Sequence, residues 1–263
     1  MIVIGERING MFKAVRKAIQ AQDKAAIQDI AKKQIEAGAN MLDVNVGPAA
    51  ADEVAAMQWL VETIQEVTDI PLAIDSAKPP VVRAGLKACK KKALINSTTG
   101  ETEKLTTLIG LAKEFNAGIL GLTMDEKGIP DSIQARMEIG LKILAAAMEA
   151  GIPTDDVHLD PVILPVKFGQ PQIKILLHTI RELKQLSDPA PKIVCGLSNV
   201  SQGTLDRPMV NRTALVMALA WGLDEAIVDP NDKELMDAMI TAELLLNKFI
   251  YCDSYLTAYR KAF

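Results

Sequence analysis

Eight short apolar runs in this chain end in side chains that make hydrogen bonds, and their chemistry is one-sided. The ends carry Glu6, Asn9, Asp43, Asn45, Asp75, Ser76, Asn96, Ser97, Asp160, Ser198, Asn199 and Asp229, with almost no lysine, histidine or cysteine. A ring of acids and amides without cations repels phosphate. It suits a small heterocycle rich in N–H groups, because one carboxylate accepts two adjacent donors and a carboxamide both donates and accepts. Each satisfied buried contact is worth about 1 kcal/mol net, and an unmet polar group costs about 1–3. A divalent metal is the other taker of clustered carboxylates, but the neutral Asn residues count against it. The segment "GLSNVS" (Gly196 to Ser201) is the sharpest case, since it places the carboxamide of Asn199 among hydroxyls with no charge nearby. Asp and Asn also cap helices. Asp75, Asn96 and Asp160, however, precede the turn residues rather than standing immediately before a helix.

These side chains need elements to position them. Strand candidates are Ile2–Asn9, Met41–Gly47, Pro71–Ser76, Ala93–Thr98, Ala117–Met124, Val157–Ile163, Lys192–Asn199 and Glu225–Asn231. Helical patterns lie between them. Ile27, Ile30, Ala31, Gln34 and Ile35 share a helical spacing, with Gly38 as the residue after its end. Pro79-Pro80 suits a first turn. Thr98 with Glu101 has capping-box spacing, and "AELLLNKF" is the last apolar helical face. Continuous apolar strands alternating with helices predict a parallel sheet covered on both faces. Eight such units predict an α/β fold: a (β/α)8 TIM barrel, one domain spanning 1–263, with its functional groups at the C-terminal ends of the strands. A doubly wound open sheet is the structural rival; it often carries G-x-G-x-x-G, which is absent.

Composition narrows the function. The chain has 263 residues, 49% hydrophobic, and a net charge of −4. No basic stripe points to nucleic acid, and "KACKKK" (Lys87 to Lys92) reads as a solvated helix end. Three widely spaced cysteines and two histidines offer little for disulfides or a zinc site. No apolar run suits a membrane span and no leader pattern opens the chain, so a cytoplasmic protein is expected.

A pterin fits the ring of strand ends. Its 2-amino group and adjacent ring nitrogen form the donor pair that one carboxylate accepts. The stretches "GERING", "LDVNVGP", "IDS", "INST", "LDPVILP" and "GLSNVSQ", in this order, resemble the strand-end motifs of the pterin-binding barrel family. That family includes dihydropteroate synthase, the folate module of cobalamin-dependent methionine synthase, and the methyltetrahydrofolate:corrinoid protein methyltransferases. The resemblance runs nearly end to end. It is closest to the methyltransferases, where "GLSNVSQ", "NRT" and "YCDSYL" also have counterparts.

The resemblance implies roles. Asp160 grips the pterin's amino edge, while Asp75 and Asn96 bond other ring nitrogens, directly or through water. Asn199 reaches N5, the atom that bears the methyl group. Glu6 and Ser198 complete the substrate-binding set, and Gln202 and Arg207 serve the folate tail or the partner. Asn199 and Asp75 are the implied catalytic residues: a carboxamide N–H on N5 strengthens as charge builds there, and Asp75 lies on a proton route. The implied substrate is tetrahydrofolate or 5-methyltetrahydrofolate. The corrinoid (cobalamin) arrives on a separate, transiently docked protein, since no D-x-H-x-x-G occurs here. A homodimer is implied, and no metal is expected on the chain itself. The residues do not choose between methyl flow from folate to cobalt, as in the acetyl-CoA pathway, and the reverse, as in O-demethylase systems. "Asp75-Ser76-Ala77-Lys78" departs from the "DSTN" frequent in these methyltransferases, which bears on tail or partner recognition. The main rival, a dihydropteroate synthase, calls for cations near a pyrophosphate where this chain reads "SNVS" and "VDPND". A non-catalytic folate binder and a carboxylate-metal barrel lyase or aldolase are further alternatives.

Overall fold

The computed structural model of the chain describes residues 1–260. Eight strands, β1 (Ile2–Asn9), β2 (Met41–Asn45), β3 (Leu72–Asp75), β4 (Leu94–Thr98), β5 (Gly118–Leu122), β6 (Val157–Asp160), β7 (Lys192–Gly196) and β8 (Glu225–Val228), pair in sequence order. All pairings are parallel, and β8 returns to β1 through Ile2↔Glu225 to Gly5↔Val228, so the sheet closes. Around it lie α1 (Lys13–Ala21), α2 (Lys24–Glu36), α3 (Glu53–Gln65), α4 (Pro79–Ala88), α5 (Thr102–Glu114), α6 (Ile133–Glu149), α7 (Val166–Gly169), α8 (Gln172–Leu183), α9 (Arg207–Ala220), α10 (Lys233–Leu245) and α11 (Tyr255–Arg260). This is the expected (β/α)8 barrel.

Two cores follow from the two-residue period of a strand. Outward-facing Val3, Leu42, Val44, Ile74, Ile95 and Ile119 pack against buried helix residues such as Ile27, Leu60, Ile143 and Ile180. Inward-facing Ile4, Ala73, Leu94, Leu120 and Val194 plug the barrel, with Ile2, Met41, Leu122 and Ile227 against them. Two residues along the same strands, on the same inward face, stand Glu6, Asp43, Asp75, Asn96, Gly196 and Asp229. Strand periodicity thus sets a polar layer directly above an apolar plug.

Helix ends are handled by other residues. Asp23, Asp52, Ser132, Asp206 and Asp232 cap α2, α3, α6, α9 and α10 with their side chains. None belongs to the strand-end set, which removes helix capping as its explanation. Several strand-end residues instead close the first turn beyond the strand. Asn9 accepts from Met11 N, Asn45 from Gly47 N and Asp229 from Asn231 N, the pattern of an Asx turn. Gly38 follows α2 with φ 104°, and Pro79 opens α4, both as expected.

Several expectations need correction. The runs Met41–Gly47, Ala117–Met124, Val157–Ile163 and Glu225–Asn231 end as strands at Asn45, Leu122, Asp160 and Val228. The run Lys192–Asn199 stays a strand only to Gly196, where pairing with β8 ends at Ile227; Leu197–Asn199 form a single 3-10 turn. Thr98 and Glu101 form no capping box, because Thr98 is a buried residue of β4 and Glu101 caps α5 without a side-chain bond. The helix face in "AELLLNKF" stops at Leu245, since Asn247 turns left-handed at φ 60°. No helix among the described residues is long and apolar enough to cross a membrane.

Candidate functional site

A cavity of about 700 Å³ opens at the C-terminal end of the barrel. That is an ordinary volume for a small-molecule site. All eight residues singled out from the sequence, Glu6, Asp75, Asn96, Asp160, Ser198, Asn199, Gln202 and Arg207, line it.

Four carboxyls stand in this cavity with their charge disfavoured. Asp160 is 6% exposed. Its Oδ1 accepts from Val162 N at 2.7 Å and its Oδ2 from Gly196 N at 3.1 Å, so the carboxylate plane is fixed and the remaining lone pairs are left for a ligand. Burial lifts its pKa to about 6; the two N–H groups and Arg136 oppose that rise. Asp43 and Asp75 form a coupled pair. Asn96 Nδ2 donates to Asp43 Oδ1 at 2.8 Å, and Asn45 Nδ2 donates to Asp75 Oδ2 at 2.5 Å. Burial raises both, and the neighbouring charge of Asp75 pushes Asp43 well above the carboxylate range. Burial and mutual repulsion thus disfavour charge on both carboxyls, most of all on Asp43. Glu6 accepts from Ser198 Oγ at 2.8 Å and is raised by burial.

The segment after β7 answers why it carries amide and hydroxyls. Ser198 serves Glu6. Buried Ser201 accepts from Arg207 Nε at 3.1 Å, and Arg207 also donates to Ser198 O at 3.1 Å. Asn199 lies exposed at the cavity mouth, not buried as its apolar run suggests. Gln202 Nε2 donates to Asn199 Oδ1 at 2.8 Å. With Oδ1 engaged in this way, the Nδ2 edge of Asn199 is left as the donor. Asn96 is the complement: its N–H is taken by Asp43, and its Oδ1 remains an acceptor.

Sequence reasoning missed several wall residues. Asp43 was visible as a strand end and shares the inward register of Asp75, yet it was not placed in the site. Arg7 also lines the cavity, although Glu6 beside it points inward. An irregular register between Gly5 and Ile8 allows both. Arg7 pairs with Asp229 at 3.5 Å and lies over Phe12, 4.3 Å from its centroid. The mouth thus contains two guanidiniums, each already engaged. Asn211, within the "NRT" motif, lines the cavity with a buried Oδ1 that has no donor among the described residues. No group of three or more His, Cys, Asp or Glu side chains among the described residues is arranged to hold a metal.

Comparison with known proteins follows the same lines. Residues 6–229 match the family described as "Pterin binding enzyme". The chain is 31% identical to methylcorrinoid:tetrahydrofolate methyltransferase of Eubacterium limosum, over 99% of this chain and 97% of that protein. It is 30% identical to methionine synthase of Mycobacterium leprae over 87% of this chain, but spans only 20% of that larger protein. Dihydropteroate synthase of Xanthomonas albilineans, solved in complex with 7,8-dihydropteroate, superposes with a TM-score of 0.71 at 19% identity, covering 95% of this chain and 94% of that one. The Yersinia pestis dihydropteroate synthase gives 0.72 at 16% identity, with 94% of each chain covered. At these identities the solved structures show the fold alone.

Proposed function

Because the chain belongs to the pterin-binding enzyme family, we propose that it is a methyltransferase acting between N5 of tetrahydrofolate and the cobalt of a corrinoid carried by a separate protein. The relative matched along nearly its whole length, the methylcorrinoid:tetrahydrofolate methyltransferase, supports this choice within the family.

In this reading Asp160 accepts the pterin's amino edge, and its fixed plane sets the ring's orientation. Asn96 Oδ1 and the Asp43–Asp75 pair meet the other ring nitrogens, the pair as both acceptor and proton holder. Ser198 and Glu6 lie beside Asn199, while Gln202 and Arg207 stand where the tail or partner passes. In the folate-to-cobalt direction, the partner's reduced cobalt supplies the electron pair for the new bond to the methyl carbon. The pair of the broken C–N bond stays on N5, and the Asn199 Nδ2 N–H stabilises it as it builds. In the reverse direction the same donor releases the N5 lone pair for attack.

The observation that carries the proposal is the Asn199–Gln202 pair. With its carbonyl already accepting from Gln202, the carboxamide has its N–H groups to offer, which suits a tertiary amine becoming basic. The test is spectroscopic. Reduced free cobalamin mixed with 5-methyltetrahydrofolate and the protein is followed for methylcobalamin. Turnover supports the reading, and its absence at saturating folate rejects it. Arg7 and Arg207 in the cavity wall favour one second reading, a pyrophosphate-releasing synthase of the dihydropteroate type. Both guanidiniums are committed to protein partners. Pyrophosphate release from a pterin diphosphate with p-aminobenzoate decides that case. A homodimer in the cytoplasm completes the proposal, and sedimentation of the purified chain tests the dimer.

A further inference from the structure

Arg136, in the first turn of α6, is the largest fully buried side chain described, at 0% exposure. A buried guanidinium is costly unless its N–H groups and its charge are met. Its bonds among the described residues go to neutral oxygens. Nε donates to Pro130 O at 2.9 Å, and Nη2 to Gln172 Oε1 of α8 at 2.9 Å. Nη1 donates to Pro161 O at 2.7 Å and to Val162 O at 3.2 Å.

Two of these acceptors flank an unusual backbone. Val162 has φ 62°, in the left-handed region that a β-branched residue avoids. In that conformation Val162 N donates to Asp160 Oδ1. The arrangement forms a chain of contacts: α6 and α8 hold the guanidinium, the guanidinium holds two carbonyls, and the turn they define holds the carboxylate.

We infer that Arg136 is a positioning residue for substrate recognition: it locks the Pro161–Val162 turn that aims Asp160 into the cavity, and it supplies the buried positive charge facing that carboxylate. The inference rests on the reading of Asp160 as the receptor of the pterin's amino edge. Arg136 touches no part of the cavity. It acts through Asp160.

The groups around Asp160 are few. Arg136 faces it from α6 and opposes the effect of burial. The buried Cys195 thiol of β7 is pushed up by burial and by Asp160 itself, and so stays neutral. Asp131, in the loop before α6, acts on Arg136 rather than on Asp160. Gln172 is uncharged. Glu6, Asp43 and Asp75 share the cavity. Among the described residues, Arg136 is therefore the one cation acting on this carboxylate.

A structural role alone and a positioning role differ in pH dependence. The test measures 5-methyltetrahydrofolate affinity from about pH 5 to 8.5 for wild type, Arg136→Gln and Arg136→Lys. Asp160 is titrated in the same proteins without ligand by carboxyl 13C NMR, with Asp160→Asn to assign the signal. Wild-type affinity falls below the Asp160 pKa, because a neutral acid accepts the donor pair poorly. In Arg136→Gln the loss of the facing charge moves that edge and the NMR titration up together. The affinity deficit is then largest in mild acid and shrinks toward alkaline pH. Arg136→Lys keeps the charge but not the fork, so its edge stays in place while affinity drops by a similar factor at every pH.

An Asp160 titration unmoved in Arg136→Gln overturns the inference, whatever folate does. So does an affinity loss in that variant equal at all pH values. If wild type binds no reduced folate, the reading of the site fails and takes the recognition role with it. The NMR result then still says whether Arg136 governs Asp160. Should Arg136→Gln fold poorly, Val162→Gly provides the second probe. It keeps the cation and frees the turn, so reduced affinity with an unmoved edge supports the lock, and unchanged affinity refutes it.

Discussion

Replacing Asn199 with Ala separates transition-state stabilisation from substrate binding. Asn199 is exposed at the cavity mouth, so water competes for its Nδ2 N–H. A hydrogen bond made under those conditions contributes about 0.5–1.5 kcal/mol net. Its loss weakens 5-methyltetrahydrofolate binding by at most about tenfold. In the proposed reaction the transferred methyl leaves a lone pair on N5 while a docked partner covers the mouth and displaces water. A preorganised donor aimed at developing charge in such a site is worth about 2.7–4 kcal/mol, or a hundred- to a thousandfold in rate. In the proposed reaction the Gln202 Nε2 bond to Asn199 Oδ1, 2.8 Å, supplies the preorganisation by engaging the amide carbonyl. Asn199→Ala is therefore expected to slow single-turnover methyl transfer at least ten times more than it weakens binding. Transfer is followed by the absorbance of the corrinoid in a stopped-flow experiment, and binding by fluorescence titration without corrinoid. Gln202→Ala, which frees the amide to rotate, falls between wild type and Asn199→Ala in transfer rate and leaves affinity nearly unchanged. Equal losses of rate and affinity in Asn199→Ala refute the reasoning, as does a Gln202→Ala variant indistinguishable from wild type in transfer.

Other perturbations test the cavity and its support. Burial raises the Asp160 carboxyl from its ordinary 3.8 to about 6, worth roughly 3 kcal/mol. Because the folded value is the higher one, this stability is present in acid and lost as pH rises through about 6. The thermal midpoint of wild type relative to Asp160→Asn should accordingly fall by several °C from about pH 4 to 7, as scanning calorimetry without folate can show. Asp43→Asn replaces a carboxyl whose charge is disfavoured by burial and by Asp75, and keeps an acceptor for Asn96 Nδ2, so it melts no lower than wild type. Asp43→Ala strands that N–H at a cost of about 1–3 kcal/mol. A Cβ on Gly10 would lie 1.8 Å from Val46 O, so Gly10→Ala pries apart the first two loops of the mouth and lowers both the melting temperature and folate affinity. Gly110→Ala is its control. Nothing lies within 4 Å of that Cβ, and the helix should gain about 0.5–1 kcal/mol with affinity unchanged.

The barrel was legible because eight apolar runs alternate with helical ones, and because strand periodicity is a local property. Residues two positions beyond an inward apolar side chain also point inward. Ile4 therefore announces Glu6, Ala73 announces Asp75, and Leu94 announces Asn96. The same rule extends to Met41 and Asp43, so the omission of Asp43 was a failure to apply the pattern and not a gap in it. Asp160 follows His158 along β6 in the same way, although His158 belongs to a buried pair with Glu225, at 2.7 Å, nearer the other end of the barrel.

Local pattern did not reveal where strands stop or how side chains share their bonds. The end of β7 at Gly196 depends on where β8 ceases to pair with it. The entry of Arg7 into the wall depends on an irregularity in its register with β2. The free N–H edge of Asn199 depends on Gln202, three residues later across a turn. Arg136 lay 24 positions before Asp160 in an amphipathic helix, with nothing in its surroundings to mark it. Residue order along the chain determined which chemical groups face the barrel axis, since that follows from bond geometry within one strand. Closure of the sheet decided which of them meet, which partner takes each proton and lone pair, and which charges lose their water. Those outcomes are set by distances between segments that the covalent chain leaves far apart.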